Sequence, residues 1–418
     1  MRACPFTHAI DPLGRDIHGE AAELRKAGPL VRVELPGQVV AWTSGSHEVT
    51  KRLVTDQRVS RDAYRHWPAW IDGDLAETWP LAIWVSVQNM FTAYGEEHGR
   101  LRKPVTKELT ARRVNTLRES IEKIADDLLD GISRKADEES VVDLRREFAE
   151  PFPNQVVCQL FGIPEESRAD LHRMITGIFN TGTSLEAARE NQVLLYRTLA
   201  EFLAAKRQNP ADDLTCDLIA AYGRCESPLS EKELVDTFIL LFTAGYETTV
   251  NLLDNVIASL LADPGQLELI RSGQASWEDA VEESLRVDAP GAYSPLRYAV
   301  EDLTVEGAGD TVIEKGDPIL VAIAAAGRDP EVHGADADRF DVTRATRRNH
   351  LAFGHGVHHC PGAALARLEA AVALPALFRR FPALALAVAP GELSPQPSFI
   401  SNGHTALPVV LGPQAPTA

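Results

Sequence analysis

The stretch Phe353-Gly-His-Gly-Val-His-His-Cys360-Pro-Gly-Ala-Ala-Leu-Ala-Arg367-Leu-Glu369 decides how this chain is to be read. Gly354 and Gly356 flank His355, so the segment reads as a loop free to take backbone angles closed to other residues. Pro361 suits the first turn of a helix, which sets Cys360 at the helix mouth. There the free N–H groups and the positive end of the helix dipole favour a thiolate, the form a permanent metal ligand requires. Zinc is the rival reading, because His355, His358, His359 and Cys360 are all potential ligands. Ligands so close together in sequence could hardly wrap a tetrahedral ion, and the chain has no second cluster of Cys and His.

Upstream lies the longest helical pattern, from about Glu231 to Asp263. Ser230 with Glu233 makes a capping box, and Asp263-Pro264-Gly265 ends the run. About 32 residues at 1.5 Å each span about 48 Å, enough to cross a whole domain. Thr237, Leu241, Ala244, Thr248 and Leu252 share one stripe. Gly245, Glu247, Thr248 and Thr249 interrupt its apolar centre. Glycine there costs on the order of 1 kcal/mol, and an unpartnered buried carboxylate costs more. Two readings remain open. Either Gly245 admits a close neighbour while Glu247 faces solvent, or the helix is deformed over a reaction centre with a hydroxyl and an acid placed to handle protons.

Around these segments the chain reads as a mainly α fold with a smaller β-rich region (α+β). The β-rich parts fall at about 29–45, 299–326 and 395–412. In the first, Val31, Val33 and Leu35, then Val39 and Ala41, alternate about Pro36-Gly37 as a hairpin. From Val114, apolar residues at Leu117, Ile121, Ile124 and Leu128 mark an amphipathic helix. A length of 418 residues alone suggests two or three domains. No repeat or linker divides the chain, so a single domain over 1–418 is expected. The net charge of −18 argues against a nucleic-acid partner. No apolar run approaches the roughly 20 residues of a membrane helix, and the first residues lack a signal-peptide pattern. Five cysteines (Cys4, Cys158, Cys216, Cys225 and Cys360) make an odd count with no paired spacing, as reduced thiols would. A cytoplasmic, soluble monomer is the expectation.

Phe353, Gly354, Gly356, His358, Cys360 and Gly362 match Phe-Gly-x-Gly-x-His-x-Cys-x-Gly, and the loop resembles the haem-binding signature of the cytochrome P-450 family. Ala244-Gly-Tyr-Glu-Thr-Thr249 is similar to the family's oxygen-binding segment. Glu283-Ser-Leu-Arg286 resembles its Glu-x-x-Arg motif, and Phe340-Asp-Val-Thr-Arg344 the stretch that supplies a second arginine. Arg297–Asp302 and His98–Arg102 also resemble family segments, in the same order. The chain length suits the soluble bacterial, actinobacterial members.

The resemblance implies a haem-thiolate monooxygenase with haem b ligated by Cys360, whose thiolate favours O–O cleavage. His98, Arg102, Arg297 and His358 are then the partners of the haem propionates, since buried carboxylates need cationic or hydrogen-bonding partners. Phe353, Gly354 and Gly362 shape the ligand loop, while Glu283, Arg286 and Arg344 form a structural ion-pair network beneath the haem. Ala244 and Gly245 leave room for O2, Thr248 offers a hydrogen bond, and Glu247 relays protons. Relatives often carry aspartate at Glu247 and asparagine at Gly327; the second change should affect packing more than chemistry.

No flavin or nicotinamide signature is present, so electrons are expected from a ferredoxin and its NAD(P)H-dependent ferredoxin reductase. Arg339, Arg344, Arg347 and Arg348, with Lys103, Arg112 and Arg113, form the expected docking patch, an ordinary solvated face being the alternative. Family topology assigns Trp84, Val87, Met90, Leu241, Ala244, Ala292, Leu296, Phe399 and Ile400 to the substrate pocket. Such a wall suits a bulky lipophilic molecule, a steroid or a macrolide polyketide, with Tyr293, Ser294 and Asn402 available to orient it. A peroxide-using or oxidative-coupling haem enzyme and a non-catalytic haem sensor are the alternatives. The Glu247/Thr248 pair favours monooxygenation.

Overall fold

The long apolar pattern folds as one helix, Glu231–Ala262, in the computed structural model, which describes residues 7–75, 77–135, 140–225 and 227–413. Its ends lie where the capping signals put them. Ser230 Oγ accepts the Glu233 N–H, and the Glu233 carboxylate accepts the Ser230 N–H in return. The Pro151–Phe161, Leu185–Gln208, Trp277–Val287 and Ala363–Arg380 helices pack around it. A helix apolar on every side belongs at the centre of a large core. The deformation that one of the two open readings required is not found: the helix stays α-helical throughout. Thr248 is absorbed locally, its hydroxyl donating to Ala244 O at 2.6 Å. The pattern from Val114 divides at Leu117 into Ala111–Thr116 and Arg118–Lys135.

Six strands form the main sheet: β1 (Thr7–Ala9), β2 (Val31–Leu35), β3 (Val39–Thr43), β4 (Val59–Ser60), β5 (Tyr293–Ala299) and β6 (Pro318–Ala322). Their spatial order is β1-β2-β3-β6-β5-β4. β2 and β3 make the expected hairpin, with Leu35 opposite Val39 and positive φ at Gly37 and Gln38 in the turn. β4 sets Val59 opposite Ala299 and Ser60 opposite Tyr298, which brings Arg61 to the strand that carries Arg297. β5 is irregular between Ser294 and Arg297.

The 395–412 region is less β-rich than expected. Its one strand among the described residues, Pro408–Val410, pairs with Ala385–Leu386 and Val142–Asp143. The loop before it is held by side chains instead, those of Gln396, Ser401 and His404 among them. The mainly helical architecture with small sheets is the one read from the sequence. Among the described residues no helix is long and apolar enough to cross a membrane.

Candidate active site

Gly354 (φ 68°) and Gly356 (φ 71°) do take the left-handed angles that their placement implied. The Cys360 N–H donates to Phe353 O at 2.8 Å, which folds the loop back on itself and presents the thiol. That bond keeps the chain in the loop for two further residues. The helix therefore starts at Ala363 with Gly362 as its cap, and Pro361 precedes the first turn instead of occupying it. The thiol is half-buried and borders a cavity of about 320 Å³. Burial pushes its pKa up, while the Gly362 and Ala363 N–H groups and Arg102 pull it down. The net direction in the protein alone is upward, burial outweighing these pulls. A metal ion at sulfur deprotonates such a thiol outright.

Ala244 and Thr248, at the centre of an otherwise buried helix, keep surface open to this cavity. Gly245 borders it beside them, and Trp84, Val87, Met90, Leu241 and Ile400 line it as expected. Ala292, Leu296 and Phe399 do not. The Ala292 N–H donates to Ile400 O at 2.8 Å, and Phe399 is buried against the Tyr293 ring, 5.9 Å between centroids. Pro295 and Arg297 share the face of β5 that borders the cavity, and Leu296 between them points into the core, as strand alternation requires. Of the polar candidates, Tyr293 and Ser294 border the cavity. Asn402 instead donates to Ala289 O at 3.1 Å.

At one end the cavity becomes cationic. Arg102, Arg297 and His358 border it, with the His98 ring tilted against His358 at 4.2 Å between ring centroids. Among the described residues His98 Nε2 and Arg297 Nε are buried without a hydrogen-bond partner. Burial, helped by Arg102, holds His98 at about 4, and burial lowers Arg297 to about 10. A fifth side chain belongs here that the sequence reading missed. Arg61 is buried, borders the same cavity, and donates to Ser294 Oγ at 2.9 Å. Buried donors with nothing to bind, converging beside a cysteine thiol, fit a group that carries carboxylates and a metal. A self-contained metal site does not fit: among the described residues no three His, Cys, Asp or Glu side chains gather as ligands.

The cytochrome P450 family model matches residues 25–207 and 277–400. The chain belongs to the cytochrome P450 family. It is 43% identical to 2-hydroxy-5-methyl-1-naphthoate 7-hydroxylase of Streptomyces carzinostaticus, over 98% of each chain. It is similar to the solved structure of CYP154A1 from Streptomyces coelicolor A3(2), with TM-score 0.90 and 45% identity, covering 97% of this chain and 100% of that one. It also resembles the testosterone-bound CYP154C4 from Streptomyces sp. ATCC 11861, with TM-score 0.92, 40% identity, and 98% and 100% covered. This P450 is therefore an oxidoreductase of the monooxygenase type, in a family that holds haem through a cysteine thiolate.

In this P450, Glu283, Arg286 and Arg344 come together as the resemblance implied. Arg286 grips Glu283 with two bonds of 2.8 and 2.6 Å, and Arg344 Nε donates to Glu283 Oε1 at 3.1 Å. The remaining Arg286 donors go to the carbonyls of Gly327, Ala337 and Arg339. Gly327 has its own reason. A Cβ there would lie 1.9 Å from Arg286 O, so this backbone excludes asparagine.

Glu247 satisfies neither of the two readings. It is 2% exposed, so it does not face solvent, and it does not border the cavity. Its Oε1 accepts from Gln396 Nε2 at 3.0 Å and from Arg145 at 3.4 Å. Gln396 accepts from Ser401 Oγ at 3.0 Å, Ser401 from Asn251 at 2.7 Å, and Asn251 from Arg145 at 3.0 Å. These five side chains close a ring. Burial raises the Glu247 pKa, and Arg145 is the strongest pull downward.

The expected basic patch of this P450 is partly neutralised. Arg344 is buried, Arg113 pairs with Glu108 and Asp217, Arg347 with Asp279, and Arg348 with Glu278. Lys103, Arg112 and Arg339 remain exposed.

Proposed function

We propose that this P450 inserts one atom of O2 into a bulky lipophilic substrate of the steroid or macrolide-polyketide class, with electrons from a separate ferredoxin and its NAD(P)H-dependent reductase. The observation that carries this reading is one cavity of about 320 Å³ joining Cys360, a cationic end and an apolar wall at Ala244 and Thr248. Haem b is the group that this cavity would hold, with Cys360 Sγ as the ligand to its iron. When bound, haem supplies an iron whose thiolate ligand favours O–O cleavage.

The chain's own residues do the rest. Cys360 Sγ is presented by the turn closed on Phe353 O. Arg102, Arg297 and His358 hold the propionates, and His98 backs His358. Thr248 directs its proton to Ala244 O, which leaves its oxygen as an acceptor toward the cavity. Glu247 supplies protons after exchanging its bonds to Gln396 and Arg145 for a path to Thr248. Val87, Met90, Leu241 and Ile400 hold the substrate against the helix and exclude water.

The naphthoate hydroxylase and the testosterone-bound structure support a rigid, ring-built substrate. The exposed Lys103, Arg112 and Arg339 support docking of an acidic carrier on a cytoplasmic monomer. The test is a binding screen followed by product analysis with a surrogate ferredoxin and reductase. Steroids or macrolactones should give a low- to high-spin shift and a hydroxylated product. Turnover with peroxide alone, coupling of phenols, or a response only to short fatty acids would each replace this reading.

A further inference from the structure

Among the described residues Arg61 is a buried cation without a counter-ion. Because β4 pairs with β5 at Ser60 and Tyr298, the next residue, Arg61, comes to lie near Arg297, and the two are only 6% and 3% exposed. One Arg61 Nη donates to Ser294 Oγ at 2.9 Å, and the guanidinium sits 3.9 Å over the Phe91 ring. Among the described residues its Nε and other Nη have no partner. The charge that acts on it most is the like charge of Arg297, and no carboxylate contributes. An aromatic face offsets part of the loss of water around a guanidinium, but burial of such a group ordinarily comes with an anion. Arginine matches a carboxylate best, through paired N–H donors.

The same cavity already has Arg102 and Arg297 for the two propionates of a haem. Arg61 is a third guanidinium, and it enters between Phe91 and Ser294, which both border the space next to Met90. We propose that Arg61 is a carboxylate-binding residue of this cavity, an assignment that rests on the haem reading above. The carboxylate comes either from an acidic group on the lipophilic substrate or from a haem propionate. In the first case Arg61 sets specificity, selecting ring-built acids over neutral analogues. In the second it is an additional anchor of the cofactor.

The test uses haem-loaded wild type, Arg61→Gln and Arg61→Lys, with lithocholate and its methyl ester as probes. Spin-shift titrations, haem content per chain and the haem reduction potential are measured for each. If the substrate supplies the carboxylate, wild type binds lithocholate at least tenfold more tightly than the ester. Arg61→Gln then erases that preference at unchanged haem content and potential, and Arg61→Lys restores part of it. If a propionate supplies it, Arg61→Gln loses haem or lowers the reduction potential, because a cation near the iron is removed, and the acid–ester preference stays as it was. Arg61→Gln with full haem, the same potential and an unaltered preference overturns the assignment, whether or not wild type prefers the acid. A wild-type protein without a haem-thiolate spectrum takes down the haem reading, and the assignment falls with it.

Discussion

Arg145 and Glu247 meet at 3.4 Å inside the protein, each 2% exposed, on the side of the central helix turned away from the cavity. The acid therefore starts in a latched position, held by Arg145 and Gln396, and must change partners to reach Thr248. Ser401, in the same ring, directly follows Ile400, which borders the cavity. Glu247→Gln should keep the substrate-induced spin shift and slow single-turnover product formation by about 10²-fold, the usual scale for a proton-transfer group. An unchanged rate would remove Glu247 from the relay.

Thr248→Ala tests the other half of the pair. The variant should bind substrate and consume reducing equivalents as wild type does, yet release most of them as peroxide. Peroxide and product are quantified together, and unaltered coupling would shift attention to Thr249, which also borders the cavity.

Glu283 is fully buried between Arg286 and Arg344. Arg286→Ala leaves that carboxylate short of its main partner and should destabilise the fold by roughly 3–5 kcal/mol. Urea unfolding reads this directly, and a loss below about 1 kcal/mol would contradict a buried network.

Glu282, one residue before, gives a pH dependence of known sign. Burial opposes ionisation, but bonds from His350 and Arg367 hold the carboxyl at about 2, against an ordinary 4.5. As the pH falls, the unfolded chain takes the proton first. The stabilisation is therefore complete above 4.5 and fades between there and about 2. It amounts to roughly 3 kcal/mol. The stability gap between wild type and Glu282→Gln should shrink across that window, and a gap independent of pH would refute the pairing.

What was legible in the sequence was what rests on local chemistry. The glycines around His355, the Ser230–Glu233 capping box and the Glu283/Arg286 pair are each set by neighbours within a turn, and each took the form its spacing implied. Of the contacts across long separations, the family resemblance supplied Arg344 on Glu283 and the meeting of Arg102, Arg297 and His358, but not those around Glu247. Arg145 and Gln396 flank Glu247 from 102 and 149 residues away, and nothing in their local sequence marks them. Arg61 is hidden for the same reason, since only the β4–β5 pairing brings it toward Arg297. Ala292, Leu296 and Phe399 were placed by topology, but Leu296 lies on the face of β5 opposite Arg297, and contacts with Ile400 and Tyr293 keep Ala292 and Phe399 in the core.

The central claim is that Cys360 ligates a haem iron, and the carbon monoxide spectrum of the reduced protein tests it most directly. Wild type should absorb near the wavelength that names the family, and Cys360→Ala should lose that band while its circular dichroism still shows the helical fold. A Cys360→Ala protein that keeps the band would contradict the account.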